Sequence, residues 1–263
     1  MIGIMFVIFV ICMVLAIPVG FSIAISATAF LVLDSGIPIY SVVQKLIDGI
    51  NSFSYLALPL FVLSGAIMIY GATPRLMRFA NMLLGRLPGG LGAAGCLGCG
   101  FFGAISGSGV ATTASIGAIV GPEMVKQGYD KGFVASLLAA SGTLGLVIPP
   151  SICMVVYSQN ASCSIGDMFL AGFIPGILAE ILLAILSVVV AKRRRYKQVS
   201  MGNITTKDAI FITMDAFLPM LMPVIILGGT MSGICTSTES AAIATVYAFI
   251  LAKFVYREMT WKS

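Results

Sequence analysis

Two glycine-rich, polar interruptions cut apolar sequence that would otherwise fill a bilayer, and they constrain this chain more than anything else in it. The first is Gly103-Ala104-Ile105-Ser106-Gly107-Ser108-Gly109-Val110-Ala111-Thr112-Thr113. The second, further along, is Gly142-Thr143-Leu144-Gly145-Leu146-Val147-Ile148-Pro149-Pro150-Ser151. In water such residues make ordinary turns. In hydrocarbon every backbone N–H and C=O needs a partner, so a broken helix survives only where it is buried in protein or lines a polar cavity. Two such breaks close together in the chain point to a place where an ion or a solute is held.

The rest of the sequence supports the membrane setting. Of 263 residues, 59% are apolar and only 10% charged, whereas a soluble domain carries about a quarter charged residues. Apolar stretches of roughly twenty residues recur along the chain, which predicts an all-α polytopic membrane protein and excludes a soluble Rossmann or hydrolase core. The first stretch, Ile4 to Leu33, has no basic leader and no small-residue cleavage site, so it reads as retained membrane structure and not a signal peptide. Pro18 and Gly20 near its middle leave one long tilted helix and two short ones as alternatives. The net charge of +5 does not imply nucleic acid, because the basic residues lie just outside apolar spans. The densest cluster is Lys192-Arg193-Arg194-Arg195-Tyr196-Lys197.

Between Pro88 and Met124 the chain is apolar but rich in glycine and alanine, and Ser106 to Gly109 divides it into two pieces too short to span comfortably. This predicts a re-entrant hairpin, residues 88–124, that enters and leaves on one face. Phe133 to Tyr157 reads as a discontinuous span, in which Pro149 and Pro150 remove two donors and free carbonyls upstream. Ahead of the hairpin, Ile37 to Ile50 is amphipathic, Tyr55 to Tyr70 apolar, and Pro74 to Leu84 interfacial. Behind the broken span, Ile165 to Ala191 is a full-length helix and Thr205 to Phe217 a connector. Leu218 to Met231 and Ser240 to Phe254 are shorter apolar segments, with Thr236 and Glu239 forming a capping box between them.

Charge tests the hairpin independently. With the Lys192 cluster placed in the cytoplasm and residues 88–124 as a same-side hairpin, Arg75, Arg78, Arg86, Lys126, Lys131, Lys207, Lys253, Arg257 and Lys262 all fall on the cytoplasmic side. Lys45 alone lies outside. A normal span at 88–124 would make the two halves of the chain disagree.

Other signals carry less. Cys96 and Cys99 form a CxxC, but there is no second pair and no histidine, so they read as buried small hydrophobes. Gly90-Leu91-Gly92-Ala93-Ala94-Gly95 matches GxGxxG without the strand or the downstream acid of a dinucleotide site. Gly103/Gly107 and Gly117/Gly121 fit GxxxG packing. Glu180 lies mid-helix, where a carboxylate is costly, and reads as a polar helix contact or a protonated acid.

At five stretches the sequence resembles the large membrane subunit of tripartite ATP-independent periplasmic (TRAP) transporters, the dicarboxylate-type permeases. They are Ala57–Gly65, Ile105–Ala111, Val147–Ile152, Phe169–Gly176 and Gly228–Ile234, in the family's order. The resemblance implies an inverted-repeat ion-transporter fold with an elevator-like domain, coupled to a sodium gradient. It further implies an organic-acid anion delivered by a periplasmic solute-binding protein, a small membrane subunit alongside, and the bacterial inner membrane as location. Sodium would be the coupling ion, with no other cofactor. On this reading residues 1–203 are the first repeat and 204–263 the opening helices of an incomplete second one. Ser237 stands where a proline is common, and Thr112 where an aspartate often occurs.

A sodium ion needs several oxygen ligands and no fixed negative charge if it is to leave again. Ser106, Gly107, Ser108 and Gly109 supply hydroxyls and exposed backbone at the hairpin tip. Carbonyls around Gly142, Thr143, Gly145 and Val147 are the counterpart, with Pro149 and Pro150 holding the break open. By the resemblance, sodium lies between these two elements. The helix after the tip points its positive end at it, which suits a substrate carboxylate near Thr112, Thr113 and Ser151. Three other readings stand beside this one: a single-chain anion symporter, an intramembrane serine protease, and a non-transporting fragment or half of a split permease. The protease fails on chemistry, because without histidine neither Ser106 nor Ser108 has its usual base.

Overall fold

The computed structural model describes residues 2–34, 38–69, 71–196 and 205–258. Lys197 and Lys262 of the basic clusters, Tyr70 and Ile37 at two expected segment ends, and the 203/204 repeat boundary lie outside the described residues. The described chain is helical and separates into two units, residues 1–53 and 54–263.

In the first unit the apolar stretch is two helices, α1 (Ile2–Val14) and α2 (Val19–Asp34), followed by α3 (Ile39–Ile50). Ala16 at φ 57° turns the chain, and Pro18 precedes the first residue of α2, where its missing N–H is harmless. Ser22 is fully buried and returns its hydroxyl to the Ile17 and Pro18 carbonyls at 3.2 and 3.3 Å.

The second unit contains α4 (Ala57–Ile69), α5 (Ala72–Leu84), α6 (Gly90–Ser106), α7 (Gly109–Lys126), α8 (Lys131–Gly142), α9 (Leu144–Val147) and α10 (Ile152–Ala161). Then follow α11 (Ile165–Arg193), α12 (Thr206–Met231) and α13 (Ser237–Ile250), the last running on into a π-helical turn at Leu251–Val255. By length and composition α11, α12 and Ser237–Val255 are each able to cross a membrane. So is the pair Lys131–Val147 with Ile152–Ala161, bent by 44° at its break. Large apolar side chains face outward along α11, for example Ile174, Leu178 and Leu182, as lipid contact requires. The protein is a multi-pass membrane protein.

Leucine gains little by leaving lipid for protein, so helices in a bilayer are held by close packing and by polar links. Both are present. Ala241, Ala244 and Ala248 put a fully buried, small-residue stripe of α13 against Phe61 and its neighbours on α4. Thr245 Oγ1 donates to the Leu60 carbonyl at 2.9 Å, and Tyr247 to Leu218 O at 2.7 Å. A second core joins α6, α7, α8 and α11 through Cys96, Cys99, Phe102, Ile116, Val120, Leu138 and Ala191. Cys96 and Cys99 are fully buried there, and Cys96 Sγ accepts from Ser141 at 3.2 Å.

One expectation is corrected. Thr205 to Phe217 is not a connector; it joins the apolar segment after it in the single 26-residue helix α12. Asp215, which interrupts the apolar pattern, is neutralised by Arg75 of α5, with Nε 3.0 Å from the carboxylate. Thr205 caps the start with Asp208 in a capping box.

Candidate functional site

The hairpin forms as α6 and α7, and its tip is built by two residues. Gly107 ends α6 in the left-handed region at φ 62°, where its N–H returns to the Gly103 carbonyl at 2.8 Å. A β-carbon is disfavoured in that conformation, which explains glycine here. Ser108 is extended, and its Oγ accepts from Ala111 N at 3.4 Å as the N-cap of α7. The second break falls where expected: Ile148 is extended, as the residue before a proline must be, and the 148–151 link separates α9 from α10. Pro149 and Pro150 are buried, and the bond between them is cis.

The two interruptions meet. The Ile152 N–H donates to the Gly107 carbonyl at 3.2 Å, tying the start of α10 to the tip. A β-carbon at Gly145 would lie 2.7 Å from Thr112 Oγ1 and 2.9 Å from the Ser108 carbonyl oxygen. One at Gly103 would lie 2.8 Å from Gly145 Cα, and one at Gly109 would lie 3.1 Å from the Gly142 carbonyl oxygen. Only glycine lets the two backbones approach this closely.

Within the contact, three oxygens form a small triangle. Ser106 Oγ stands 3.1 Å from Thr112 Oγ1 and 3.4 Å from the Ser108 carbonyl oxygen, and Thr112 Oγ1 donates to that carbonyl at 2.7 Å. Ser106 and Thr112 are buried, and Ser108 is half-buried. All three groups are uncharged oxygen donors of the kind hard cations prefer. They sit at the N-terminal end of α7, whose dipole favours negative charge.

The remaining expected residues divide. Gly142 faces Thr113 and Gly109, so Thr113 also lies at the contact, with its hydroxyl donated to the Gly109 carbonyl at 2.8 Å. Ser151 is buried in the break, donating to the Leu146 carbonyl at 2.8 Å. Thr143 is exposed and its hydroxyl is spent on Ala140 O at 2.6 Å. The Val147 carbonyl lies against Gly172 of α11. The structure thus gathers Ser106, Gly107, Ser108, Gly109, Thr112, Thr113, Gly142 and Gly145, and turns Thr143's side chain and Val147's carbonyl elsewhere. Of the GxxxG glycines, Gly121 packs on Val134 and Leu138, whereas Gly117 has open space around it.

Two contributors carried no individual signal. Gly65 of α4 seats the tip from behind: a β-carbon there would lie 2.9 Å from Ser106 Cα. Ile152 supplies the backbone donor to Gly107. A lone glycine in an apolar span does not say which neighbour needs the room, and backbone donors have no residue signature.

Residues 6–263 match the family model described as "Tripartite ATP-independent periplasmic transporter, DctM component". The chain is 40% identical over 261 residues to the C4-dicarboxylate TRAP transporter large permease protein DctM of Vibrio cholerae, covering 98% of this chain and 57% of that protein. It is 38% identical to the sialic acid TRAP transporter large permease protein SiaM of the same organism, over 92% of this chain and 57% of the relative. The isethionate TRAP transporter permease protein DctMQ of Oleidesulfovibrio alaskensis is 39% identical, over 96% and 40% respectively. The chain spans little more than half the length of the large permeases it matches.

Proposed function

Because the chain belongs to the family of the DctM component of tripartite ATP-independent periplasmic transporters, we propose that it forms part of a sodium-coupled pathway importing small organic anions. In this reading a periplasmic binding protein delivers the anion, a small membrane subunit packs alongside, and the assembly lies in the bacterial inner membrane. The observation that carries the proposal is the contact of the two helix breaks around Ser106 Oγ, Thr112 Oγ1 and the Ser108 carbonyl oxygen.

Sodium is held by neutral oxygens, so it is released when its concentration falls; a carboxylate in the same place would bind it more firmly. The bound cation and the N-terminal end of α7 then add their positive potentials at the tip. An anionic group of the solute is stabilised there only while sodium is present, which is coupling by shared electrostatics. Thr113 at this contact and Ser151 in the adjoining break are assigned to the solute side, whereas Thr112, expected there from the sequence, is assigned to the cation because its hydroxyl joins Ser106 Oγ and the Ser108 carbonyl oxygen. The relatives named for C4-dicarboxylates, sialic acid and isethionate all concern carboxylate or sulfonate anions, and this supports an organic-acid substrate.

The test is uptake into vesicles by the reconstituted chain, with and without a second chain supplying the remaining length of the relatives. Uptake that follows an inward sodium gradient and needs a binding protein supports the proposal. Uptake indifferent to sodium refutes the coupling, and uptake without any binding protein favours a single-chain symporter.

A further inference from the structure

Between the turn that joins α5 to α6 and the basic end of α11 lies the mouth of a groove. Gly89 of the turn packs directly on Ala191 and on the Ser187 carbonyl of α11, which brings the two sides of the mouth together. Inward from it, Leu84, Leu87, Ala93, Leu97, Ile185 and Val189 line part of a cavity of about 770 Å³ bounded by α5, α6, α11 and α12. The wall holds one polar side chain, Glu180, whose carboxyl already fills the notch at Gly100 of α6. Ala104 and Ile148, from the two helix breaks, line only the deep end beyond it.

Charge marks the mouth. Lys192 and Arg193 stand four residues beyond Val188 and Val189, so they continue the stripe of α11 that lines the groove. Helical side chains lean toward the N-terminus of their helix, which carries both cations back over the opening. Both are exposed, and neither pairs with a carboxylate among the described residues, whereas Arg194 beside them reaches Asp130 at 3.8 Å. Arg86, also exposed, adds a third cation from the turn. Residues 85–90 and 189–193 contain no acid.

The length of the groove selects what these cations hold. From Val189 back to Glu180 is nine residues, about 14 Å of helix and close to the hydrocarbon depth of one leaflet. An acyl chain entering at the mouth runs along apolar wall alone and ends where the one polar group begins. A helix would need the small-residue floor at Gly100, which the Glu180 carboxyl occupies. We propose that this groove binds an anionic phospholipid, its phosphate held by Lys192 and Arg193 with Arg86 beside them, and one acyl chain laid along α11 as far as Glu180. Basic pockets between membrane helices hold anionic headgroups by charge, each Lys or Arg near the surface strengthening the attraction about fivefold. Neither sodium nor solute is required, so this inference and the transport reading fail independently.

The experiment reconstitutes the full chain in phosphatidylcholine vesicles with a trace of phosphatidylglycerol or phosphatidylcholine spin-labelled on one acyl chain. The immobilised fraction is read by electron paramagnetic resonance. Phosphatidylglycerol is expected to be held about five- to thirtyfold more tightly. Lys192→Gln with Arg193→Gln should remove that preference, whereas Lys126→Gln with Lys131→Gln, which takes the same charge from the turn between α7 and α8, should leave it. Ile185→Trp keeps every charge and, at an exposed position on the groove wall, blocks the acyl chain; it too should remove the preference. Adding a second chain that supplies the remaining length of the relatives should not. Equal immobilisation of the two lipids would overturn the proposal. So would a preference that survives Ile185→Trp, or one that falls equally with Lys126 and Lys131, since either means attraction to the surface alone. Displacement of the labelled lipid by the second chain would likewise overturn it and assign the groove to protein.

Discussion

Gly145 has no room for a side chain, and one of its nearest neighbours is backbone of the other break. A β-carbon there would stand 2.7 Å from Thr112 Oγ1 and 2.9 Å from the Ser108 carbonyl oxygen, so even alanine must push the two breaks apart. Gly145→Ala should cost about 1–3 kcal/mol by overpacking and weaken sodium binding, measured as thermal stability with and without sodium. Gly117→Ala is the control: it has open space around it in the same kind of helix, and replacing glycine there should stabilise by about 0.4–1 kcal/mol. Thr112→Val keeps shape and burial while removing the hydroxyl that donates to Ser108 O. It should lower stability by about 1 kcal/mol yet abolish the sodium response, separating the ligand role from the packing role.

At the scale of elements, the interruptions could be read from the sequence because glycine and serine, or glycine and paired prolines, cluster in two short stretches where a membrane helix must leave backbone groups to other partners. Ser106 to Gly109 became the tip, and the break before Ser151 became the bend. The length of α12 could not be read, because Lys207, Asp208 and Asp215 break the apolar pattern and the partner of Asp215, Arg75, lies 140 residues away. The turning of the Val147 carbonyl toward Gly172 was equally hidden, since proline frees upstream carbonyls without aiming them. The capping box on α13 was legible and is present: Thr236 N donates to Glu239 Oε2 at 2.7 Å, and Glu239 N to Thr236 Oγ1 at 3.3 Å. Thr236→Ala should therefore cost about 0.5–2 kcal/mol in thermal unfolding, without touching the sodium response.

For the molecule as a whole, Arg75 links α5 to α12 and to the segment after α13. It pairs with Asp215 and with Glu258 at 2.9 Å, bonds the Gly71 carbonyl at 2.6 Å, and lies 3.8 Å from the centre of the Tyr256 ring. Burial lowers its pKa, but the two carboxylates outweigh that and hold it above the usual arginine value. Arg75→Ala should destabilise by about 1–3 kcal/mol, and Arg75→Lys should recover only part of this, because an ammonium cannot reproduce the fork and the stacking. A hairpin that enters and leaves on one face puts both of its ends on the same side of the bilayer. Cysteines placed at Arg86 and Lys126 should both react with a membrane-impermeant reagent from the same side of the bilayer.

The measurement that tests the central claim most directly is the unfolding midpoint of the purified chain, titrated with sodium chloride against potassium chloride at constant ionic strength. If the helix-break contact holds sodium, Tm should rise saturably with sodium, by roughly 2–4 °C for each kcal/mol of binding at this chain length. Potassium should leave it unchanged, and Ser106→Ala and Thr112→Val should flatten the sodium curve. An equal rise with potassium, or an undiminished sodium response in both variants, would contradict the account.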